Sequence, residues 1–318
     1  MKNTERNLKE LFEEFINIQK FTKCLRPETL RGYRQIVDTF MRMMPEVIMP
    51  SDITTSTIVD FYRKLQTRTR IIGKDTEKTG VRQSTILTYR QKTRLFFEWL
   101  KNNGYIAINP LNKIPFPKVV YEDIRYLTKD EVNRIFTAIL LNPQKNPLVQ
   151  KRDILMFYIL LYCGIRKSEL QGLEIRDFDL NAKMLTVRGE ISKSKISRRI
   201  PLHPTTIFHL KDYLKERSRC KTPFLLVSGN ADRGLSSHGL KHWVKRMIKI
   251  SGVKFHLHRF RHTFATNFLN STHTNNNIIK LKELLGHKDI KMTLVYLRGL
   301  PATQMSSDIE NLSIDNLI

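Results

Sequence analysis

The stretch His256-Leu257-His258-Arg259-Phe260-Arg261-His262-Thr263-Phe264-Ala265-Thr266 decides how this chain is read. It crowds five basic side chains where apolar spacing predicts the start of a helix running from Arg261 to Leu269. Such crowding repels itself unless an anion sits nearby. A metal ion is the competing ligand for three histidines, but the run contains no Cys, Asp or Glu, and its arginines oppose a cation.

Working outward, two further stretches have the same character. Upstream, Cys163-Gly164-Ile165-Arg166-Lys167-Ser168-Glu169-Leu170 follows an apolar run, Ile154 to Cys163, that reads as a buried helix stopped by Gly164. Arg166 then falls at the first turn of the next helix, where guanidinium and helix dipole both face an anion. Downstream, Leu284-Leu285-Gly286-His287-Lys288-Asp289-Ile290 leads through Thr293 to Tyr296, nine residues past His287. Taken singly, each element has a plain structural reading: a solvated loop arginine, a carboxylate at Glu169 that suits the helix dipole, a packed helix aromatic. Together they supply what metal-free DNA breakage needs: a nucleophile, fixed cations and proton donors.

Bulk properties agree. In 318 residues, 55 Lys and Arg oppose 30 Asp and Glu, giving a formal charge of +25 and a field that attracts polyanions. The 41% hydrophobic content is enough for ordinary cores, and the length suggests two domains. The apolar runs are too short to span a bilayer, and the N-terminus does not read as a secretion signal. Cys24, Cys163 and Cys220 form neither a disulfide framework nor a zinc knuckle, which fits a reducing cytoplasm. The last eighteen residues carry Asp308, Glu310 and Asp315 but no Lys or Arg, so the remainder holds about +28. Ile309, Leu312, Leu317 and Ile318 make that tail apolar enough to dock on protein, although a frayed terminus fits equally.

The expected architecture is mainly α with a small β-sheet. Apolar periods predict helices through Leu8–Ile16, Thr29–Met44 and Ile58–Leu65; a polar, basic exposed loop then runs from Gln66 to Gln83. A fourth helix is expected with Ser84 as N-cap, Ile86, Tyr89, Phe96, Phe97 and Leu100 inward, Gly104 past its end, and Thr88, Gln91 and Arg94 outward. Pro110, Pro115 and Pro117 mark a linker, placing the domain boundary near Lys118. Thr128 and Glu131 cap the next helix, strand character appears at Met184–Val187, Arg199–Leu202 and Phe224–Val227, and helices resume at Thr205–Lys215, Leu240–Ile250 and Ile278–Leu285.

Gly164-Ile165-Arg166 through Glu169-Leu170, His258 through Thr266, and Leu285-Gly286-His287 through Tyr296 closely resemble, in order and separation, the three signatures of tyrosine recombinases. The resemblance covers nearly the whole second domain and extends loosely to the N-terminal helices, which match that family's core-binding domain. It implies a helical core-binding domain (1–118), a catalytic domain (119–300) and a tail (301–318), with the two domains closing on DNA as a C-shaped clamp. It further implies that Arg166 and Arg261 clamp the scissile phosphate, that His258 and His287 bond its oxygens and manage the nucleophile's proton, and that Tyr296 attacks phosphorus. A 3′-phosphotyrosyl link results, and neither ATP nor metal is needed. The family's lysine acid falls at Lys193, eight residues before Pro201, with Lys195 as the alternative or as a phosphate contact. Gln91 and Arg94 are candidate DNA contacts. Register puts the first catalytic histidine at His258, leaving His256 as an extra phosphate contact or surface residue. The stretch Ser271 to Asn277 is more polar than the family's usual loop.

By the same resemblance the partner is double-stranded DNA carrying specific sites, bound by four protomers on two sites, with tails passing to neighbours and room for an accessory DNA-binding protein. The chain is then a cytoplasmic, nucleoid-associated recombinase of the simple Xer type or a compact integrase of a mobile element. Two other classes stand beside it: a non-catalytic DNA-binding protein on this scaffold, which tolerates loss of Tyr296, and a type IB topoisomerase, which needs no paired sites.

Overall fold

The computed structural model describes residues 6–72, 76–115, 125–229, 231–271 and 277–299. The expected boundary near Lys118, the tail, and residues 272–276 lie outside them. The chain divides into two compact units, Met1–Tyr121 and Glu122–Ile318.

The first unit contains α1 (Leu8–Phe21), α2 (Pro27–Met43), α3 (Thr55–Thr67), the strands β1 (Thr69–Ile72) and β2 (Thr76–Thr79), and α4 (Gln83–Asn102). The predicted apolar faces meet in an aromatic core, where Phe12 packs edge-on against Phe96 at 5.2 Å and Phe40 against Phe61 at 4.9 Å. Two expectations are corrected here. The exposed loop after Gln66 contains an antiparallel hairpin that pairs Arg70 with Lys78 and Ile71 with Glu77. Its strands read TRII and TEKT; β2 is exposed throughout and Ile71 is exposed too, so no buried alternation betrays them in sequence.

The other correction concerns Ser84, which lies inside α4. Arg82 is the N-cap and makes no side-chain cap bond, while the Ser84 carbonyl accepts from Thr88 Oγ1 at 3.0 Å. The inward face turns slightly, to Leu87, Arg90 and Thr93, because the Arg90 guanidinium is buried and donates to the carbonyls of Leu111 (3.1 Å), Ile114 and Pro115 (3.0 Å). That guanidinium satisfies the backbone of the proline-rich segment that must pack beneath the helix. Gln91 and Arg94 are exposed, on the outward face.

The second unit contains α5 (Lys129–Leu141), α6 (Pro147–Cys163), α7 (Lys167–Gly172), β3 (Phe178–Asp179), β4 (Met184–Val187), β5 (Arg198–Pro201), α8 (Pro204–Arg217), α9 (Ser237–Ser251), α10 (Leu257–Ser271), α11 (Asn277–Leu285) and α12 (Lys291–Leu294), then a 3₁₀ turn, Val295–Gly299. The Thr128–Glu131 capping box closes reciprocally. Buried α6 lies at the centre of the apolar core, packed against α8 and α10. The sheet is antiparallel in the order β3-β4-β5. Phe224–Val227 forms no strand, only two isolated bridges, Glu174 to Phe224 and Val227 to Gly234. Leu225, Leu226 and Val227 are buried, Phe224 is exposed, and the backbone is claimed elsewhere: Leu225 N–H donates to Leu173 O at 2.7 Å, and Leu225 O accepts from Tyr213 Oη at 2.9 Å. Among the described residues no helix is long and apolar enough to cross a membrane.

Candidate active site

Gly164 ends α6 in the left-handed region at φ 56°. A Cβ there would stand 2.3 Å from the Phe264 ring, so both conformation and space demand glycine. The stop makes Arg166 the N-cap of α7, in a capping box with Glu169. Glu169 is fully buried. Its Oε2 accepts the Arg166 backbone N–H at 2.8 Å and Arg198 Nη2 at 2.7 Å, while Oε1 accepts Arg166 Nη1 and Arg198 Nη1, each at 3.0 Å. Burial pushes this carboxyl up, but Arg198 and then Arg166 outweigh it and hold the group at about 2. Arg198 also donates through Nε to Leu284 O at 2.7 Å, tying β5 to the end of α11.

Arg261 is 1% exposed and donates to Gly164 O at 2.8 Å and Leu285 O at 2.6 Å, so one guanidinium stitches the ends of α6 and α11 together. Desolvation, then the neighbouring Arg166, lowers it to about 9. Gly286 takes φ 62° after α11, and His287 Nδ1 pairs with Thr293 Oγ1 at 2.8 Å. Desolvation, then Arg261, Arg166 and Arg198, push His287 down to about 3. His258 is held at about 4 by desolvation, then by Arg261, His256, Arg166 and Lys193. Lys193 is exposed and near enough to His258 for its charge to lower that ring, while Lys195 occupies a left-handed position, φ 59°, further along the same turn. That turn is closed by Ser192, whose hydroxyl pairs with Ser194 at 2.8 Å and reaches Glu169 at 3.4 Å.

Tyr296 is 3% exposed, packed with Ala265, Leu269, Leu281 and Leu285. Burial raises its phenol above the ordinary value, against the opposing pull of Arg261 and Arg166. The hydroxyl lies 3.1 Å from His262 Nδ1, and the Tyr296 and His287 rings are parallel with centroids 6.4 Å apart. All six residues singled out in the sequence, Arg166, Lys193, His258, Arg261, His287 and Tyr296, therefore belong to one cationic cluster. Among the described residues no three His, Cys, Asp or Glu side chains converge as metal ligands would.

Such a cluster can hold a phosphodiester against a phenol. The phage integrase family model matches residues 125–302, more than half of the chain. The chain belongs to the phage integrase family, the tyrosine recombinases. It is 28% identical over 291 residues to a tyrosine recombinase of Thermosipho africanus, covering 91% of this chain and 93% of that one. Against the tyrosine recombinase XerC of Serratia marcescens it is 26% identical over 294 residues, covering 91% and 90%. Among solved structures, the Tn1549 transposon integrase in complex with transposon right end DNA is similar in fold, with TM-score 0.74, 18% identity, and 96% and 99% coverage. XerH bound to its difH substrate gives TM-score 0.68, 18% identity, and 96% and 84% coverage.

Two members of this recombinase's site are not evident from the sequence. Arg198 shows there only as a basic residue before Ile200-Pro201-Leu202, and its partner Glu169 is 29 positions away. His262 shows only as part of the basic run, although its Nδ1 is the ring nitrogen that meets the Tyr296 hydroxyl. Its position four residues after His258, on the same helix face, is the available signal.

Proposed function

We propose that this tyrosine recombinase breaks and rejoins double-stranded DNA at specific sites through a 3′-phosphotyrosyl link on Tyr296. The observation that carries this is the placement of the Tyr296 hydroxyl beside Arg261 and within the field of Arg166. Arg166 and Arg261 neutralise the scissile phosphate, while His258 and His287, both neutral at pH 7, donate hydrogen bonds to its non-bridging oxygens. The Tyr296 oxygen attacks phosphorus, the bond to the 5′ oxygen breaks, and Lys193 supplies that oxygen's proton. A 5′-hydroxyl from another strand reverses these steps on a new partner. Because the ester conserves the bond, the cycle uses neither ATP nor a metal.

The first unit serves as the core-binding domain, with Gln91 and Arg94 towards DNA, and residues 119–300 serve as the catalytic domain. Lys195 adds a phosphate contact. Four protomers on two sites, with tails 301–318 exchanged between neighbours, complete the assembly, with or without an accessory DNA-binding protein. The setting is the cytoplasm and its nucleoid, in the service of a mobile element or a chromosome.

Labelled, nicked duplexes from the DNA flanking the gene test this reading on denaturing gels run without divalent metal. Wild-type protein is expected to form a covalent adduct that Tyr296→Phe does not, although Tyr296→Phe still binds. Binding by wild type with no adduct on any duplex would favour a purely architectural protein.

A further inference from the structure

We propose that His262 is the group that takes the proton from Tyr296 when the phenol attacks phosphate, and returns it when the strand is rejoined. This rests on the recombinase reading above and assigns one step of it to a residue outside the six catalytic positions.

The geometry discriminates among the histidines. His287 Nδ1 is engaged by Thr293 Oγ1 at 2.8 Å, which leaves its other nitrogen for phosphate, and its ring lies parallel to Tyr296 rather than pointing at the hydroxyl. His258 packs edge-on against His262, with centroids 4.4 Å apart, one turn back along α10 and at the open surface of the site. Of the three, it is His262, half-buried behind His258, that presents a ring nitrogen to Tyr296 Oη, at 3.1 Å.

The resting protonation states suit the same direction of transfer. Burial raises the phenol, so at neutral pH it carries its proton and donates. Desolvation, then His258, His256 and Arg261, keep His262 near 4, so its imidazole is neutral and can accept. A neutral imidazole facing a phenol at Nδ1 accepts there and carries its hydrogen on Nε2. When a phosphodiester enters, its negative charge offsets Arg261 and makes His262 a better base; the same anion opposes a phenolate, so the phenol depends on that base to give up its proton.

The step balances. The Tyr296 O–H bond breaks and its proton joins His262 Nδ1; the phenolic oxygen bonds to phosphorus; the bond from phosphorus to the 5′ oxygen breaks, and that oxygen takes a proton from Lys193. Rejoining runs each transfer backwards, His262 protonating the departing Tyr296 oxygen.

The test is single-turnover cleavage of the nicked duplexes by wild type, His262→Ala and His262→Asn, each made with tyrosine or a ring-fluorinated tyrosine at 296. Removing a general base lowers rates by about 10²–10⁴-fold. Both variants are expected to bind DNA like wild type and to cleave on the order of a hundredfold more slowly. His262→Asn keeps a hydrogen-bond acceptor but cannot take a proton, so it should behave like His262→Ala. Fluorination makes the phenol more acidic and is expected to restore most of the loss in the variants while changing wild type little. Cleavage by His262→Asn near the wild-type rate, or a loss that fluorination does not restore, would show that His262 only packs. If wild type itself gives no Tyr296-dependent adduct, the recombinase reading falls and this inference with it.

Discussion

Replacing Arg198 with methionine tests whether the Glu169 carboxylate organises the site. Glu169 has no exposed surface and accepts two hydrogen bonds from Arg166 and two from Arg198. Removing one partner of a buried pair strands the other charge and costs about 3–5 kcal/mol. The carboxyl itself gives an independent figure. A fall from the ordinary 4.5 to about 2 corresponds to roughly 3 kcal/mol at about 1.36 kcal/mol per tenfold change in proton affinity. Arg198→Met should therefore lower Tm by about 6–20 °C, at about 2–4 °C per kcal/mol for a domain of this size. The double variant Arg198→Met, Glu169→Gln should regain much of that stability, because the fully buried carboxylate is no longer charged. It should not regain activity, because Arg166 loses its anchor and the Leu284 carbonyl loses Arg198, two residues before Gly286. The sign with pH follows: a depressed carboxyl contributes above about 4.5 and its contribution disappears as pH falls towards 2. Calorimetry on the three proteins, with adduct yield alongside, checks this. An Arg198→Met protein within about 1 °C of wild type, well inside the shift expected for a stranded buried charge, and fully active would refute the organising role.

Three further outcomes are expected. Gly164→Ala forces a left-handed alanine, costing about 1–2 kcal/mol before any clash with Phe264; since Gly164 O holds Arg261, denaturant unfolding and cleavage rate should fall together. Lys193→Ala should slow cleavage by about 10²–10⁴-fold, with recovery on a duplex whose bridging 5′ oxygen is replaced by sulfur, while Lys195→Ala should stay within about threefold; equal losses for both would refute the assignment. Because His287 is pushed down to about 3, the unfolded chain binds its proton first as pH drops below 6.5. Stability should fall by up to about 1.4 kcal/mol per pH unit from there, and a His287→Asn protein should lose less; identical pH profiles would contradict the burial argument.

What is legible in the sequence follows from which forces are local. Gly164 and Gly286 show their left-handed stops directly, and the all-round apolar character of α6 announces its burial. Phe12, Phe40, Phe61 and Phe96 keep helical spacing, so the first unit's core can be read from the chain alone. The hairpin after α3 cannot, because β2 is exposed throughout and Ile71 of β1 is exposed, so neither imprints an alternation. Arg90 and Arg198 are equally hidden. Each is a cation in a sequence rich in them, buried only because distant carbonyls or a distant carboxylate need donors. A one-dimensional pattern records what a residue is but not which backbone group, many positions away, will lack a partner until it arrives.

The charge balance inside the site gives the last step. Four cationic or potentially cationic groups, Arg261, His258, His262 and His287, are all driven toward neutrality, by burial first and by one another second. Among the described residues Glu169 is the carboxylate that enters these balances, and Arg166 and Arg198 already claim it. The free protein thus holds an electrostatic deficit that a phosphodiester relieves, and the same relief makes the histidines more basic. In the free protein the phenol is protonated, buried and within hydrogen-bond distance of His262.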